Sequence, residues 1–290
     1  MKICRFDNDR LGLVEGNHVR DVTAALDCLP RYSYPHPPFD ALIANLDKVC
    51  ARISSLAPTA PLLPLQGRKL LAPIANPGKI VAAPVNYKKH LEEAREQAEI
   101  HHHQQIAEIQ KIGLFLKATS SLVGPGQGVA LQHPDRRNDH EAELVVVIGK
   151  AGRNIASANA FKHIAGYSSG LDMTTRGPEE RSLRKSIDSY SVLGPWFVTT
   201  DEIAESGNIG FSLTVNGQIK QKANTRDLIL SIGELIAFAS SFYSLLPGDL
   251  IYTGTPEGVG PVLPGDIIVT EFDGIGRMEV AVCAATQGLV

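Results

Sequence analysis

The 290-residue sequence predicts a mainly β protein with some α-helix, of the α+β class. From Ile80 onward, short apolar runs alternate with glycine and proline, as in a series of closely spaced strands. Residues 144–148 are apolar without polar alternation, which indicates a strand buried on both faces. Residues 215–218, Val-Asn-Gly-Gln, indicate a two-residue hairpin, because Asn-Gly accepts the positive φ angles of a type I′ turn.

The first part of the chain, residues 1–72, is expected to form a small β-rich N-terminal domain, and residues 73–290 a larger second domain. The glycine and proline punctuation separates the elements of the small domain from one another. These elements are, in order, a hairpin of residues 11–14 and 18–22, a proline-rich segment at 30–38, a helical stretch at 41–56 and a connector at 58–64.

The larger domain contains one clearly delimited helix. Ser231 and Glu234 form a Ser-x-x-Glu capping box, which predicts a helix that reaches Tyr243. The segment 247–249, Pro-Gly-Asp, ends it, and two strands are expected at 250–253 and 266–272. The apolar positions predict a buried face formed by Leu235, Ile236, Phe238 and Phe242.

Charge and composition exclude several function classes. The net charge is −3, with acidic and basic residues mixed, which argues against nucleic acid or an anionic membrane surface as a partner. No apolar run reaches transmembrane length, and the first residues lack the apolar core of a signal peptide. Four cysteines without paired spacing predict inert thiols in a reducing cytoplasm rather than disulfides or a zinc cluster: Cys4, Cys28, Cys50 and Cys283.

A pair of carboxylates leads into the buried strand. Glu141 and Glu143 are two residues apart, so on a strand they share one face, with Cα atoms roughly 7 Å apart. Buried side by side, they would repel each other and lose hydration, and a divalent cation removes both costs. Asp172, at the end of another predicted strand, is the candidate third ligand. Three carboxylates without clustered cysteine or histidine favour Mg²⁺, Mn²⁺ or Ca²⁺, although the spacing alone equally fits solvated surface charges.

His90 and Glu93 lie three residues apart on a predicted helix for which Asn86 can serve as N-cap. A carboxylate beside an imidazole raises its basicity, as a water-activating base requires. By itself the pair is more typical of an accidental pair on an exposed helix. The helix continues through residue 99 and is polar nearly all round, as in a mobile lid. Residues 101–103, three histidines, are expected to form a solvated turn rather than a second metal site.

Lys117 interrupts an apolar strand, and a basic cluster follows Asp172. Cations near three carboxylates would balance charge or bind a carboxylate of a substrate. The cluster comprises Arg176, Lys185 and two residues more typical of a solvated loop, Arg181 and Arg184.

The glycine-rich residues 253–260 lack the Lys-Ser/Thr pair and the following helix of a phosphate-binding loop, so a nucleotide is not expected. Two interpretations of this segment stay open: a tight turn whose amides face a small anion, and an ordinary connector between strands.

Together these motifs resemble the fumarylacetoacetate hydrolase family over residues 77–280. They follow the order found in that family, and the last of them is the most specific match. The motifs are Asn86-Tyr87-x-x-His90-x-x-Glu93, Phe115-x-Lys117, Glu141-x-Glu143-Leu144, Asp172, Lys185-Ser186-Ile187-Asp188, Leu193-Gly194-Pro195-Trp196 and the segment from Pro247 to Gly260.

The resemblance implies a mixed β-roll or β-sandwich fold for a catalytic domain at residues 73–290, and a homodimer. It implies Mg²⁺ or Mn²⁺ as the cofactor, with Ca²⁺ as a further occupant in a crystal, and a small oxo acid as the substrate. The residues it implies are Glu141, Glu143 and Asp172 for the metal, His90, Glu93 and Lys117 for catalysis, with the dyad on a lid, and Tyr87, Arg176, Lys185 and Thr255 for substrate binding.

The chain departs from the family pattern in four places. Leu171 stands where the family commonly has asparagine, and Gly177 follows Arg176 where aspartate is common. Residues 178–184 and the segment 96–111 are also atypical. Because the departures around Arg176 are expected to border the substrate, they bear on its identity more than on metal binding.

The resemblance implies hydrolysis of a C–C bond in a 2,4-dioxo acid such as an acylpyruvate or fumarylpyruvate. Water activated by His90 and Glu93 would attack the second carbonyl, and the bond would break toward an enolate held at the metal. Two alternatives stay open. One is decarboxylation, isomerisation or hydration of a 2-oxo acid at the same site, and the other is a non-catalytic protein that binds oxo acids.

Overall fold

A computed structural model describes residues 1–96 and 108–285, which form three β-sheets with short helices around them. The predicted class, mainly β with some α, is confirmed. None of the helices within the described residues combines the length and apolar character needed to span a bilayer.

The N-terminal elements form one end of the largest sheet. The predicted hairpin is present as β2 and β3, and the predicted helical stretch is divided into two helices. The expected connector at 58–64 differs, because part of it pairs with β3 as an edge strand. The elements are β1 (Lys2–Phe6), β2 (Arg10–Glu15), β3 (His18–Asp21), α1 (Ala41–Ala44), α2 (Leu46–Leu56), β4 (Leu62–Pro64) and β5 (Leu70–Leu71).

The middle of the chain supplies most of the strands around the candidate site. Its elements are β6 (Ile80–Ala82), α3 (Lys88–Glu96), α4 (Ile109–Ile112), β7 (Phe115–Lys117), β8 (Leu122–Val123), β9 (Val129–Leu131), β10 (Asn138–His140), β11 (Ala142–Ile148), β12 (Ile164–Asp172), β13 (Thr174–Thr175), α5 (Arg181–Lys185) and β14 (Ser191–Thr199). The last part contains β15 (Gly210–Val215), β16 (Gln218–Asn224), α6 (Ile232–Phe242), β17 (Leu250–Tyr252), β18 (Gly260–Pro261), β19 (Ile267–Phe272) and β20 (Gly276–Ala284).

The sheets meet around the buried strands of the largest one. In that sheet the order is β4-β3-β2-β1-β14-β12-β11-β17-β6-β7, with β5 on β1 and β8 on β14. A smaller sheet, β13-β10-β18, continues from the start of β11, and a third has the order β16-β15-β19-β20-β9. Every residue of β11, β12 and β14 is buried, so the prediction of a strand buried on both faces is confirmed for β11.

The two predicted turn and cap signals are present. Asn216 and Gly217 both have positive φ, and they join β15 to β16. The Ser231 hydroxyl accepts from the backbone N–H of Glu234, and the Glu234 carboxylate accepts from the N–H of Ser231, so the capping box opens α6.

The buried face of α6 differs from the prediction at Phe242, and Phe238 is only partly buried. Leu235 and Ile236 are buried, but the Phe242 side chain is 64% exposed. The buried stripe runs through Ile232, Leu235, Ile236 and Ala239, and Phe242, the last residue of the helix, packs edge-to-face on Phe238 at the surface.

The prediction of Asn86 as a helix N-cap is wrong. Helix α3 begins at Lys88, and the Asn86 amide instead bridges two loops. It donates to the carbonyl oxygens of Leu230 and Thr253 at 3.0 and 2.8 Å, and it accepts from the Leu230 N–H at 2.8 Å. The predicted continuation of the helix and the three histidines at 101–103 lie outside the described residues.

Candidate active site

Strand pairing brings the three predicted metal ligands together. Glu143 lies directly opposite Gly170 in the β11–β12 register, and Asp172 is the last residue of β12. Glu141 lies between β10 and β11, and its carbonyl oxygen accepts from the Asp172 N–H at 2.9 Å. One carboxylate oxygen from each of these three buried residues lies within 4.8 Å of the others.

This donor set fits a hard divalent cation. An octahedral ion with oxygens at about 2.1 Å needs ligand atoms about 3 to 4 Å apart, which small side-chain movements would produce here. Burial, together with the charges of Asp172 and Glu141, raises the pKa of Glu143 well above its usual range. A cation bound there would reverse this effect, because it favours the ionised carboxylate.

Two buried lysines lie against the same carboxylates. Lys117, from β7, donates to Asp172 and to the carbonyl oxygen of Tyr190. Lys185, the last residue of α5, donates to Glu141 at 2.7 Å and to Asp172 at 2.8 Å. Burial lowers the pKa of Lys117, and the positive charge of Lys185 lowers it further, whereas Asp172 opposes the shift.

Arg176 follows β13 and contacts the carboxylates from the other side. Its guanidinium donates to Asp139 at 2.7 Å and to Glu141 at 3.1 Å. Burial would raise the pKa of Glu141, but the cations Lys185 and Arg176 outweigh it and hold that pKa below its usual range. Glu141 and Glu143 are therefore pushed in opposite directions by their different neighbours.

The predicted His90–Glu93 pair forms on α3. His90 Nδ1 lies 3.0 Å from Glu93 Oε2, and the imidazole is buried. An imidazolium at His90 would lower the pKa of Glu141, so the dyad is close enough to act on the metal site electrostatically. Burial opposes ionisation of Glu93, but the hydrogen bonds from His90 and from the Gly258 N–H lower the pKa of Glu93.

The glycine-rich turn after β17 connects the dyad with the carboxylates. The Gly254 N–H donates to Glu143 at 2.7 Å, and the Gly258 N–H donates to Glu93 at 3.1 Å. The segment therefore connects β17 with β18, and two of its amides are taken up by carboxyl groups of the chain itself, while a small anion bound at this turn stays a prediction.

Two predicted substrate-binding residues line the same region. The Tyr87 hydroxyl is buried and has no hydrogen-bond partner among residues 1–96 and 108–285. Burial is the main cause of its raised pKa, to which the charge of Glu143 adds. Thr255 is buried, and its hydroxyl oxygen accepts from the Gln221 side chain at 2.8 Å.

The sequence model of the fumarylacetoacetate hydrolase C-terminal domain matches residues 79–283. The chain belongs to the fumarylacetoacetate hydrolase family. A maleylpyruvate hydrolase of Aquipseudomonas alcaligenes is 56% identical over 284 residues, covering 97% of this chain and 99% of the relative. The oxaloacetate tautomerase FAHD2A of Homo sapiens is 35% identical over 235 residues, covering 77% of this chain and 72% of the relative.

Solved structures of the family share the whole fold. The crystal structure of maleylpyruvate hydrolase from Sphingobium sp. SYK-6, in complex with manganese(II) ion and pyruvate, has a TM-score of 0.84 and 38% identity. The alignment covers 99% of this chain and 100% of that chain. A hydrolase of the same family from Exiguobacterium antarcticum has a TM-score of 0.75 and 30% identity, covering 98% of this chain.

The sequence analysis did not identify two side chains of the candidate site. Asp139 is fully buried and accepts from both Arg137 and Arg176, at 2.8 and 2.7 Å. The two-residue alternation that links Glu141 to Glu143 extends back to Asp139, and this signal could have found it. Thr174 donates to Glu141 at 3.1 Å and accepts from Lys185 at 2.6 Å, and no motif in the sequence singled it out.

Gln221 was also missed, although it connects two parts of the site. From β16 its carbonyl oxygen accepts from the N–H of Ala142, the residue between the two glutamates, at 2.9 Å. Its amide nitrogen donates to Thr255 at 2.8 Å and to the carbonyl oxygen of Pro256 at 2.9 Å. These partners are far apart in the sequence, so no local pattern indicates them.

The expectation of a solvated loop for Arg181 and Arg184 is wrong. Both residues belong to α5 and are partly buried. Arg184 donates to the backbone carbonyl oxygens of Glu179 and Thr175, at 2.8 and 3.3 Å. Arg181 lies over the ring of Phe115. The structure therefore gives this atypical stretch a fixed position beside the candidate site.

Proposed function

We propose that this protein is a divalent-metal-dependent hydrolase that cleaves the bond between C3 and C4 of an acylpyruvate. The observation that carries the proposal is the buried group of Glu141, Glu143 and Asp172, with ligand atoms within 4.8 Å, next to the His90–Glu93 dyad. The similarity to maleylpyruvate hydrolases supports it, since one of them holds manganese(II) and pyruvate in its crystal structure.

Glu141, Glu143 and Asp172 would hold the cation, for which we propose Mg²⁺ or Mn²⁺. When bound, such an ion supplies Lewis-acid polarisation of a 2-oxo acid and stabilises negative charge on its oxygens. Around it, Arg176 fixes the Glu141 carboxylate, and the Gly254 N–H fixes that of Glu143, so two of the three carboxylates are oriented by fixed donors.

His90 acts as the general base in this proposal. The ionised Glu93 can only accept, so the proton between them lies on Nδ1 of His90, and Nε2 is left with a lone pair. Nε2 removes a proton from water, and the hydroxide adds to C4, the carbonyl carbon of the acyl group. Glu93 stabilises the imidazolium formed in this step, and the Gly258 N–H holds Glu93 in place.

Cleavage of the C–C bond is followed by return of the proton from His90 to the substrate. The C3–C4 bond breaks, its electron pair is delocalised onto the 2-oxo oxygen, and C3 receives the proton from His90, which gives pyruvate and a carboxylic acid. Lys117 and Lys185 place two ammonium groups beside the carboxylates, where negative charge develops. We propose that the unpaired Tyr87 hydroxyl and the Thr255 hydroxyl orient the substrate.

The named tautomerase among the relatives favours one alternative, isomerisation of oxaloacetate at the same carboxylates. To separate the candidates, the purified protein is incubated with Mn²⁺ or Mg²⁺ and acylpyruvates, oxaloacetate or 2-oxo-dienoates, and the products are identified by NMR. We expect pyruvate and a carboxylic acid from the acylpyruvates. Turnover of oxaloacetate alone would favour the tautomerase or decarboxylase, and oxo-acid binding without any turnover would favour a binding protein.

We also propose a homodimer located in the cytoplasm. The family resemblance supports the dimer, and the four free cysteines support a reducing compartment. Size-exclusion chromatography with light scattering is expected to give twice the chain mass, and a single-chain mass at micromolar concentration would contradict the dimer.

A further inference from the structure

Arg181 places its guanidinium at the edge of the candidate site. It is the first residue of α5, and its Cζ atom lies 5.6 Å from the centroid of the Phe115 ring. Within residues 1–96 and 108–285, no carboxylate or carbonyl oxygen accepts a hydrogen bond from this guanidinium. A partly buried arginine normally has such acceptors, because its five N–H donors lose hydration.

The neighbouring cations are all paired. Lys117, Lys185 and Arg176 donate to the carboxylates of the site, and Arg184 donates to two backbone carbonyl oxygens. Arg181 therefore differs from the other cations around the site, because none of the described residues accepts a hydrogen bond from its guanidinium and a molecule outside the chain can supply the acceptor.

The Phe115 ring, over which Arg181 and Lys185 both lie, relates Arg181 to the three carboxylates. Lys185 Nζ lies 5.5 Å from the same Phe115 centroid, and Lys185 in turn contacts Glu141 and Asp172. Burial lowers the pKa of Arg181, while the charges of Glu141 and Asp172 oppose the shift, which places the guanidinium within their electrostatic range.

We propose that Arg181 binds a carboxylate at the far end of the acyl group and thereby selects diacid acylpyruvates over monoacid ones. The inference rests on the proposed function and specifies its substrate class. A guanidinium is suited to this task, because it binds a carboxylate with two parallel hydrogen bonds, while the Phe115 ring holds its flat face. The 2-oxo acid end then lies at the three carboxylates, and the acyl end reaches toward α5.

Charge supports the same assignment. Glu141, Glu143 and Asp172 are matched by Lys117, Lys185 and Arg176, and Asp139 is matched by Arg137, so a bound divalent cation would leave two positive charges. The ionised Glu93 lowers this excess to one, and Arg181 raises it to two. A substrate with two carboxylates matches this excess better than a substrate with one.

The test compares two substrates in Arg181→Gln and in the wild type, each loaded with Mn²⁺. The diacid is maleylpyruvate and the monoacid is acetylpyruvate, and the readout is the ratio of their kcat/KM values. We expect Arg181→Gln to lower this ratio about 10- to 100-fold, mainly through the KM of the diacid, because a charged hydrogen-bonded contact is lost. Arg181→Lys, which keeps the charge but not the fork, should lie between the two.

Arg184→Gln is the matched control, because it removes a guanidinium of the same helix whose donors are bound to the backbone. It should keep the wild-type ratio even if it lowers the melting temperature. An unchanged ratio in Arg181→Gln and Arg181→Lys overturns the inference alone. A wild type that cleaves neither substrate overturns the inference together with the proposed function.

Discussion

Three carboxylates and three cations lie against one another at the centre of the site. Lys117 and Lys185 donate to Asp172, and Lys185 and Arg176 donate to Glu141. Glu143 lies beside these two carboxylates, with ligand atoms of all three within 4.8 Å of one another. Each buried charge thus has an opposite charge nearby, which offsets the cost of its lost hydration. The same arrangement makes the effect of removing a single residue predictable, because each residue either binds the cation, takes part in proton transfer or balances a buried charge.

Replacement of His90 by alanine is expected to lower kcat about 10²- to 10⁴-fold, because the general base is removed. Mn²⁺ affinity should change little, since the three predicted ligands remain. Steady-state kinetics gives the first quantity and isothermal titration calorimetry the second. A variant that retains wild-type kcat on an acylpyruvate would exclude His90 as the base.

Replacement of Glu141 by alanine is expected to weaken Mn²⁺ binding more than about 100-fold, because a ligand is lost and not merely a residue that orients one. Lys185 also loses one of its carboxylate acceptors, which leaves a buried ammonium less well paired. Calorimetric titration with Mn²⁺ measures the effect. Glu271→Ala, at an exposed position in β19, is the control and should bind Mn²⁺ as the wild type does.

The pKa of Glu93 gives a prediction for the stability of the site. Burial raises this pKa, but the hydrogen bonds from His90 and Gly258 outweigh it, so the folded protein holds it below the ordinary value of 4.5. The unfolded chain therefore binds the proton first as the pH falls. The stabilisation is complete above the ordinary pKa and is lost as the pH falls through the lowered one.

The measurement for Glu93 is the difference in melting temperature between the wild type and Glu93→Gln from about pH 7 to about pH 3.5. The wild type should be the more stable protein at neutral pH, and the difference should shrink in the acidic range. A difference that is constant over this range would show that the charge of Glu93 does not contribute.

At the scale of elements, the sequence signals that depend on a few adjacent residues predicted the structure well. The Asn216-Gly217 turn and the Ser231–Glu234 capping box require only local geometry, and both are present. The cap assigned to Asn86 is wrong because its amide is taken up by Leu230, 144 residues away. Tertiary partners thus decided the role of a residue that local propensity would place at a helix end.

Gln221 is the side chain through which β16 acts on the site, and its loss should affect both stability and substrate binding. Gln221→Ala leaves the buried N–H of Ala142 without its acceptor, which costs about 1–3 kcal/mol. The Thr255 hydroxyl also loses a donor, so KM should rise. Thermal denaturation and steady-state kinetics measure the two effects.

Gln218→Ala is the control for this prediction, because Gln218 lies on the same strand at an exposed position. It should change neither the melting temperature nor KM measurably. If Gln221→Ala lowers stability but keeps the wild-type KM, then Gln221 supports the fold without positioning Thr255.

At the scale of the whole molecule, the sequence predicted the family and the α+β fold class, and both predictions are confirmed. The predicted divalent cofactor and metal-dependent hydrolysis are supported by the convergence of the three carboxylates and by the similarity to maleylpyruvate hydrolases. The roles of the individual site residues stay predictions. What the motifs could not predict are contacts across long loops, such as that between Glu93 and Gly258, 165 residues apart. Residue spacing reports which side chains share one element, whereas only the assembled sheets determine which elements meet.

The division into a domain at residues 1–72 and a catalytic domain at 73–290 also stays a prediction. The large sheet runs across this boundary, since β1 pairs with β14 through Lys2↔Val198 and Ile3↔Phe197. Ile3 and Leu11 share a buried cluster with Phe197 and Leu193. We therefore propose that the two parts are consecutive segments of the sequence that depend on each other to fold.

Removal of residues 1–72 should then expose one edge of β14 together with apolar side chains that the N-terminal strands cover. We expect the fragment 73–290 to aggregate or to lack a cooperative thermal transition, because an uncovered hydrophobic edge strand pairs readily with other chains. Circular dichroism and size-exclusion chromatography of the fragment, beside the full chain, measure this. A fragment that melts cooperatively near the full-length temperature and still binds Mn²⁺ would show instead that residues 73–290 fold independently, and that the shared strand pairing contributes little to their stability.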